Sequence, residues 1–86
     1  MKPTELLERF RRGDVRNVSF TDFVALMKAL GFTESRSRGS HHLFVHPRVR
    51  EFMNVQKVKG QVKPYQARQL LKMVDEYNLS IEARNE

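Results

Sequence analysis

The period of the apolar residues switches twice along this chain, from helical to alternating and back, and that double switch limits the fold more than any other feature. Phe23, Leu26, Met27 and Leu30 stand at i, i+3, i+4 and i+7, one face of a 3.6-residue period. Ser19 or Thr21 can cap the start of this helix, and Gly31 is placed as the left-handed residue after its last turn. From residue 32 the pattern alternates. Residues 32–37 read as a strand, Arg38-Gly39 as a turn, 40–46 as a second strand and 51–56 as a third, with Pro47 and the charged Arg48-Val49-Arg50 as the loop between the last two. Residues 57–63 are basic, contain Gly60 and read as a mobile loop. Pro64 suits the first turn of a last helix, whose apolar face is Ala67, Leu70, Leu71, Val74 and Tyr77.

Ahead of this block, Thr4 can cap a short helix carrying Leu6, Leu7 and Phe10 and ending at Gly13, and residues 14–19 read as a connection. The order helix, helix, three strands, helix predicts an α+β domain. Three strands joined by short turns form an antiparallel meander, and the two amphipathic helices that flank it cover one face. The other face is left open. The expected organisation is 1–19 for the N-terminal helix and connection, 20–80 for the domain and 81–86 for a polar, frayed tail.

All three histidines fall within six positions, in Gly39-Ser40-His41-His42-Leu43-Phe44-Val45-His46-Pro47. Strand alternation puts Ser40, His42, Phe44 and His46 on one face and His41, Leu43 and Val45 on the other. Phe44 is the largest apolar group in the run, so its face is taken as the core side. His41 then points to the open face beside the turn, with Arg36 and Arg38 on the neighbouring strand. Histidine takes and gives a proton near neutral pH, so this is a place for a general base or acid acting on a phosphodiester. The competing reading is structural: histidines that cap strand ends or fill rim positions.

Charge narrows the partner. The net charge is +6 and the pI about 10.2. Between residues 35 and 74 lie Arg36, Arg38, Arg48, Arg50, Lys57, Lys59, Lys63, Arg68 and Lys72, opposed only by Glu51. Such asymmetry fits a polyanion, nucleic acid above all, against the alternative of a solvated surface. Lys57, Lys59 and Lys63 are candidates to hold RNA phosphates. Arg68 and Lys72, four apart on the last helix, project together toward phosphate, a protein partner or plain solvent. Tyr65 and Tyr77 read as core or rim packing, and the four methionines as core filler.

Several function classes drop out. There is no cysteine, so no disulfide framework and no thiolate metal site. His42 and His46 are four residues apart on one strand, about 13 Å at the usual rise, too far to share a zinc ion. No acidic cluster near the histidines suits magnesium. No cofactor is implied. Ser40 adjoins His41, but neighbours on a strand face apart, and no acid is placed to orient a base for nucleophilic catalysis. RNA brings its own nucleophile, the 2′-hydroxyl, so a proton shuttle and cations suffice. No apolar run approaches the roughly 18 residues of a membrane span and the start lacks a secretory signal, so a cytoplasmic protein is expected.

The Gly-Ser-His turn followed by Leu43-Phe44-Val45-His46-Pro47, preceded by a helix ending Leu30-Gly31-Phe32 and followed by Lys63-Pro64-Tyr65-Gln66 and its helix, resembles the HicA-type toxins over residues 20–79. The resemblance implies a double-stranded-RNA-binding-like α-β-β-β-α fold, mRNA-cleaving activity, a cognate HicB-type antitoxin and a catalytic histidine in this turn. Matching Gly-Ser-His carries that role to His41; relatives with the histidine one place later select His42. Around it, Arg36, Arg38, Ser40, Lys57, Lys59 and Lys63 form the expected RNA-binding set, with no metal, in a chain monomeric when free. The alternative is a non-catalytic RNA-binding module of the same fold, and a third is a protein-binding fragment without activity. The chain departs from the pattern in two respects. Asn54-Val55-Gln56-Lys57-Val58-Lys59-Gly60 lacks the proline and histidine many members carry there, and the N-terminal helix is an addition.

Overall fold

A computed structural model describes residues 1–81. Its elements are α1 (Pro3–Arg11), β1 (Val18–Ser19), α2 (Phe20–Ala29), β2 (Thr33–Arg38), β3 (His41–Val45), β4 (Met53–Gln56), β5 (Gln61–Val62) and α3 (Pro64–Glu76). Strands β2, β3 and β4 form an antiparallel meander in that order, and β1 pairs with β5 in a separate two-stranded ribbon. The expected α+β architecture, a three-stranded antiparallel sheet with helices on one face plus an added N-terminal helix, is the one found. The frayed tail expected at 81–86 lies, from residue 82 on, outside the described residues.

Local chemistry explains the helix ends. The Ser19 hydroxyl accepts a hydrogen bond from the Asp22 N–H at 3.0 Å, so Ser19, not Thr21, caps α2. At the other end Phe32 N–H donates to Met27 C=O and Gly31 N–H to Lys28 C=O, both at 3.0 Å, a Schellman closure. Thr4 does not cap α1. The cap is Lys2, with Pro3 in the first helical position and the Glu5 carboxylate accepting from the Lys2 N–H at 3.3 Å. Proline fits there because its missing N–H has no helical partner to lose.

The core gathers Phe44, Met53 and Val55 from the sheet, Phe23, Leu26, Met27 and Leu30 from the α2 region, and Ala67, Leu70, Met73 and Val74 from α3. Helix α1 closes it with Leu6 and Phe10. The Phe10 and Phe23 rings lie 6.2 Å apart, and Arg11 reaches Asp75 of α3 at 3.0 Å. The expected α3 face needs correction: Gln66 and Met73 are buried, whereas Leu71 and Tyr77 are only partly so. Three methionines fill the core and Met1 does not. No helix among the described residues is long and apolar enough to cross a membrane.

The connections differ most from expectation. Residues 57–63 are no mobile loop. Val58 and Gln61 exchange backbone hydrogen bonds of 2.8 and 2.9 Å around Lys59-Gly60, both at positive φ (51° and 77°), a two-residue type I′ turn. Beyond it Val62 pairs with Val18 and Gln61 with Ser19, so the stretch read as a plain connection ends in a strand. Phe20 N–H donates to Gly60 C=O at 2.8 Å, fixing the start of α2 to the same ribbon.

Candidate functional site

Gly39-Ser40 is the two-residue loop of the β2–β3 hairpin, closed by the pair Arg38 and His41. Gly39 has φ +60°, the conformation a type II′ hairpin turn asks of its first central residue and one that glycine adopts without strain. The turn fixes the register behind it: Arg36 opposite Leu43, Ser37 opposite His42, and across the sheet His41 opposite Gln56 and Leu43 opposite Asn54. Cross-strand pairs project to the same side. Arg36, Arg38, His41, Leu43 and Asn54 accordingly line one hollow of about 160 Å³ on the open face. His41 is exposed, Leu43 is half-buried as the floor, and neither arginine forms an ion pair among the described residues.

His42 faces the helices. Its Nδ1 lies 2.8 Å from Glu34 Oε2. Its ring packs on Phe20 with centroids 4.6 Å apart, and the Lys57 ammonium stands 5.4 Å over the other partner of that stack, the Phe20 ring. Glu34 reaches this side because the β2–β3 register slips between Glu34 and Arg36. Ser35 is the extra residue of a β-bulge, so Glu34 follows Phe44 to the core face while Arg36 follows Leu43 to the open one. His46 is buried and structural. Its Nε2 is 3.0 Å from Leu30 C=O and its Nδ1 accepts the Arg48 N–H at 3.0 Å. The ring therefore donates from Nε2 and accepts at Nδ1, the pattern of a neutral imidazole.

The expected site residues divide into three places. Arg36, Arg38 and His41 share the open-face hollow. Lys57 sits with His42 and Phe20 at the rim. Lys59 and Lys63 line a different cleft of about 360 Å³ with Arg16, Asn17 and Gln61. Ser40 contributes its carbonyl to the fold, accepting the Lys57 N–H at 2.8 Å. Sequence reasoning missed Glu34, Asn54 and Arg16. The placement of Asn54 follows from alternation once β4 is registered, since it is two residues from Gln56 on the strand beside His41.

Gln66 fixes the far edge of the sheet. Its Oε1 accepts the Gln56 N–H at 2.7 Å and its Nε2 donates to Asn54 C=O at 2.9 Å. The outward backbone groups of β4 are thus covered, which holds the strand that supplies Asn54 and keeps that edge from pairing with another chain. Among the described residues no group of three or more His, Cys, Asp or Glu side chains is placed to hold a metal ion.

Comparison with known proteins gives one family. The family model for the HicA toxin of bacterial toxin–antitoxin systems matches residues 20–75, from the start of α2 to the last turn of α3 and including the whole hairpin. No curated protein and no solved structure matches the chain. The match spans most of the chain and begins where the added N-terminal segment ends; the chain belongs to the HicA toxin family of bacterial toxin–antitoxin systems.

Proposed function

We propose that this toxin is a metal-independent endoribonuclease that cleaves mRNA in the cytoplasm with His41 as its proton-transfer group. The observation that carries the reading is the open-face hollow, where an exposed imidazole stands beside two guanidinium groups that form no ion pair among the described residues. His41 takes the proton of a 2′-hydroxyl as that oxygen attacks the adjacent phosphorus. The bond from phosphorus to the 5′-oxygen breaks, that oxygen takes a proton from water, and the proton His41 had taken neutralises the resulting hydroxide. The products are a 2′,3′-cyclic phosphate and a free 5′-hydroxyl. Arg36 and Arg38 hold the non-bridging oxygens, where negative charge grows in the transition state, and the Asn54 amide adds a neutral donor.

A second reading gives the role to His42, because Glu34 holds its Nδ1 and would leave Nε2 as the base. That arrangement puts a carboxylate next to the scissile phosphate and leaves both arginines on the other face of the sheet, with only Lys57 at hand. Electrostatics therefore favours His41.

The antitoxin partner, by family a HicB-type protein, inhibits most directly by laying an acidic surface over Arg36, Arg38 and His41. The test is cleavage of RNA by the purified protein in excess EDTA, with His41→Ala and His42→Ala alongside. Cleavage that survives EDTA and disappears only in His41→Ala is the expected result. Full activity of His41→Ala would sink the assignment. RNA binding without cleavage by any form would leave a non-catalytic RNA-binding module.

A further inference from the structure

We infer that the cleft between the β1–β5 ribbon and the start of α3 is a second anion site, holding a backbone phosphate of a single-stranded stretch of the RNA. Arg16 of the added N-terminal segment is one of its ligands. The inference rests on RNA as the substrate, but not on which histidine cleaves it. Three cations, Arg16, Lys59 and Lys63, line this cleft of about 360 Å³, and no carboxylate does. None of the three forms an ion pair among the described residues.

Arg16 is held in place by the fold. Its carbonyl accepts from Arg9 Nη2 at 2.8 Å, Asn17 turns the chain at φ 57°, and Val18 and Ser19 are then locked to Val62 and Gln61. Lys59 is set by the I′ turn and Lys63 by its position as the N-cap of α3. The ordering entropy of the backbone is therefore spent in folding and not again on binding. The nearest acid in sequence, Asp14, is held chiefly by Arg9 at 3.1 and 3.4 Å, and although its carboxyl also feels the Arg16 backbone and charge, it does not line the cleft.

The chemistry of the cleft selects a phosphate chain over a protein surface. The cleft's apolar lining is small, with Val62 at 4% exposed and Val58 and Pro64 half-buried, and it includes none of the aromatic residues that anchor protein hot spots. Tyr65, one residue beyond the lining Pro64, is 53% exposed and offers a face for a base, the usual companion of a cationic groove that tracks single strands. Arg16 and Asn17 precede the family match at residue 20, so this cation is supplied by the part of the chain outside it.

The test is anisotropy of a fluorescein-labelled oligouridylate, titrated at several salt concentrations with His41→Ala protein so that the RNA persists. Arg16→Gln and Lys63→Gln are added to that background, and Arg16→Lys serves as the charge-keeping control. Each Gln substitution should weaken binding several-fold at low salt and reduce the slope of log affinity against log salt by about 0.7, the value of one single-strand phosphate contact. Arg16→Lys should restore the slope, and circular dichroism melts matching the parent exclude misfolding. Unchanged affinity and slope in both Gln variants would overturn the inference. So would unchanged RNA binding with lost affinity for polyglutamate, which would mark the cleft as protein-binding. Protein that cleaves through His41 with an unmoved slope would remove the cleft and keep the nuclease. A protein that binds through the cleft and cleaves nothing would do the reverse.

Discussion

Glu34 and Arg36 are two residues apart on β2 yet project from opposite faces of the sheet, because the bulge at Ser35 takes up one residue between them. Regular alternation would set the Glu34 carboxylate in line with Arg36 and Arg38 on the open face. There it would neutralise part of the positive field that the two guanidinium groups set up beside His41. The bulge sends the acid to the helix side, where it engages His42 at 2.8 Å. One extra residue thereby separates the arginine-flanked His41 from the His42–Glu34 pair.

That separation predicts different consequences for the two neighbouring histidines. Loss of the His42 ring removes the Glu34 hydrogen bond and the packing on Phe20, together about 1–2 kcal/mol. Loss of the exposed His41 ring should stay within about 0.5 kcal/mol. Urea denaturation of His41→Ala and His42→Ala should show a lowered midpoint only in the second, while cleavage disappears only in the first. A stable His42→Ala protein without activity would reverse the assignment of roles.

His46 should matter for stability alone. His46→Phe keeps an aromatic ring beside Phe32, whose centroid is now 5.0 Å away, but leaves Leu30 C=O and Arg48 N–H unpaired. Two orphaned backbone groups cost about 2 kcal/mol or more. The denaturation midpoint should fall with an unchanged slope, and activity per folded molecule should remain.

The parts of this molecule that were legible in the sequence are those with a long enough period. Phe23, Leu26, Met27 and Leu30 announce α2, and the alternation through His41, His42, Leu43 and Phe44 gives both the strand and the side each ring takes. The β1–β5 ribbon was hidden because two-residue strands display no period, and Lys59-Gly60 is not the Asn-Gly or Asp-Gly pair that marks a type I′ turn. The bulge was hidden for a related reason. All six residues of β2 are exposed, so no buried side chain betrays the change of face. Arg16 could not be grouped with Lys59 and Lys63 until that ribbon was seen. Gln66 lies beside Ala67 in a helical stripe, and nothing local distinguishes a buried amide from an exposed one.

Gln66→Leu should destabilise far more than a surface glutamine would. The leucine fits an apolar surround but leaves the Gln56 N–H and the Asn54 C=O unanswered, a loss of about 2 kcal/mol, or roughly 8–16 °C in melting temperature for a domain of this size. Gln66→Glu should not rescue it, since an ionised carboxylate accepts from Gln56 but cannot donate to Asn54. Light scattering on the Leu variant should also show self-association through the uncovered β4 edge. A melting temperature equal to the parent's would mean that solvent already satisfies that edge.

The last contact to test joins the loop before β4 to the end of α3. The Tyr77 hydroxyl donates to Glu51 Oε1 at 2.7 Å, and this bond holds the Glu51 carboxyl below its usual range and pushes the Tyr77 phenol above its own. The signs fix a window. A depressed carboxyl contributes stability above its unfolded pKa and loses it as pH falls through the lower folded value. A raised phenol contributes below its unfolded pKa and loses it as pH rises through the higher folded value. The melting-temperature difference between the parent and Tyr77→Phe should therefore be flat through neutral pH, shrink in acid as Glu51 protonates through its lowered folded value, and shrink again in alkali as Tyr77 ionises. Glu51 is exposed and Tyr77 only half-buried, so the difference should be small, though it should hold at neutral pH when salt is raised because one partner is uncharged there. A difference that does not change from pH 3 to pH 7 would show that the hydroxyl stabilises the helix end by some contact other than Glu51.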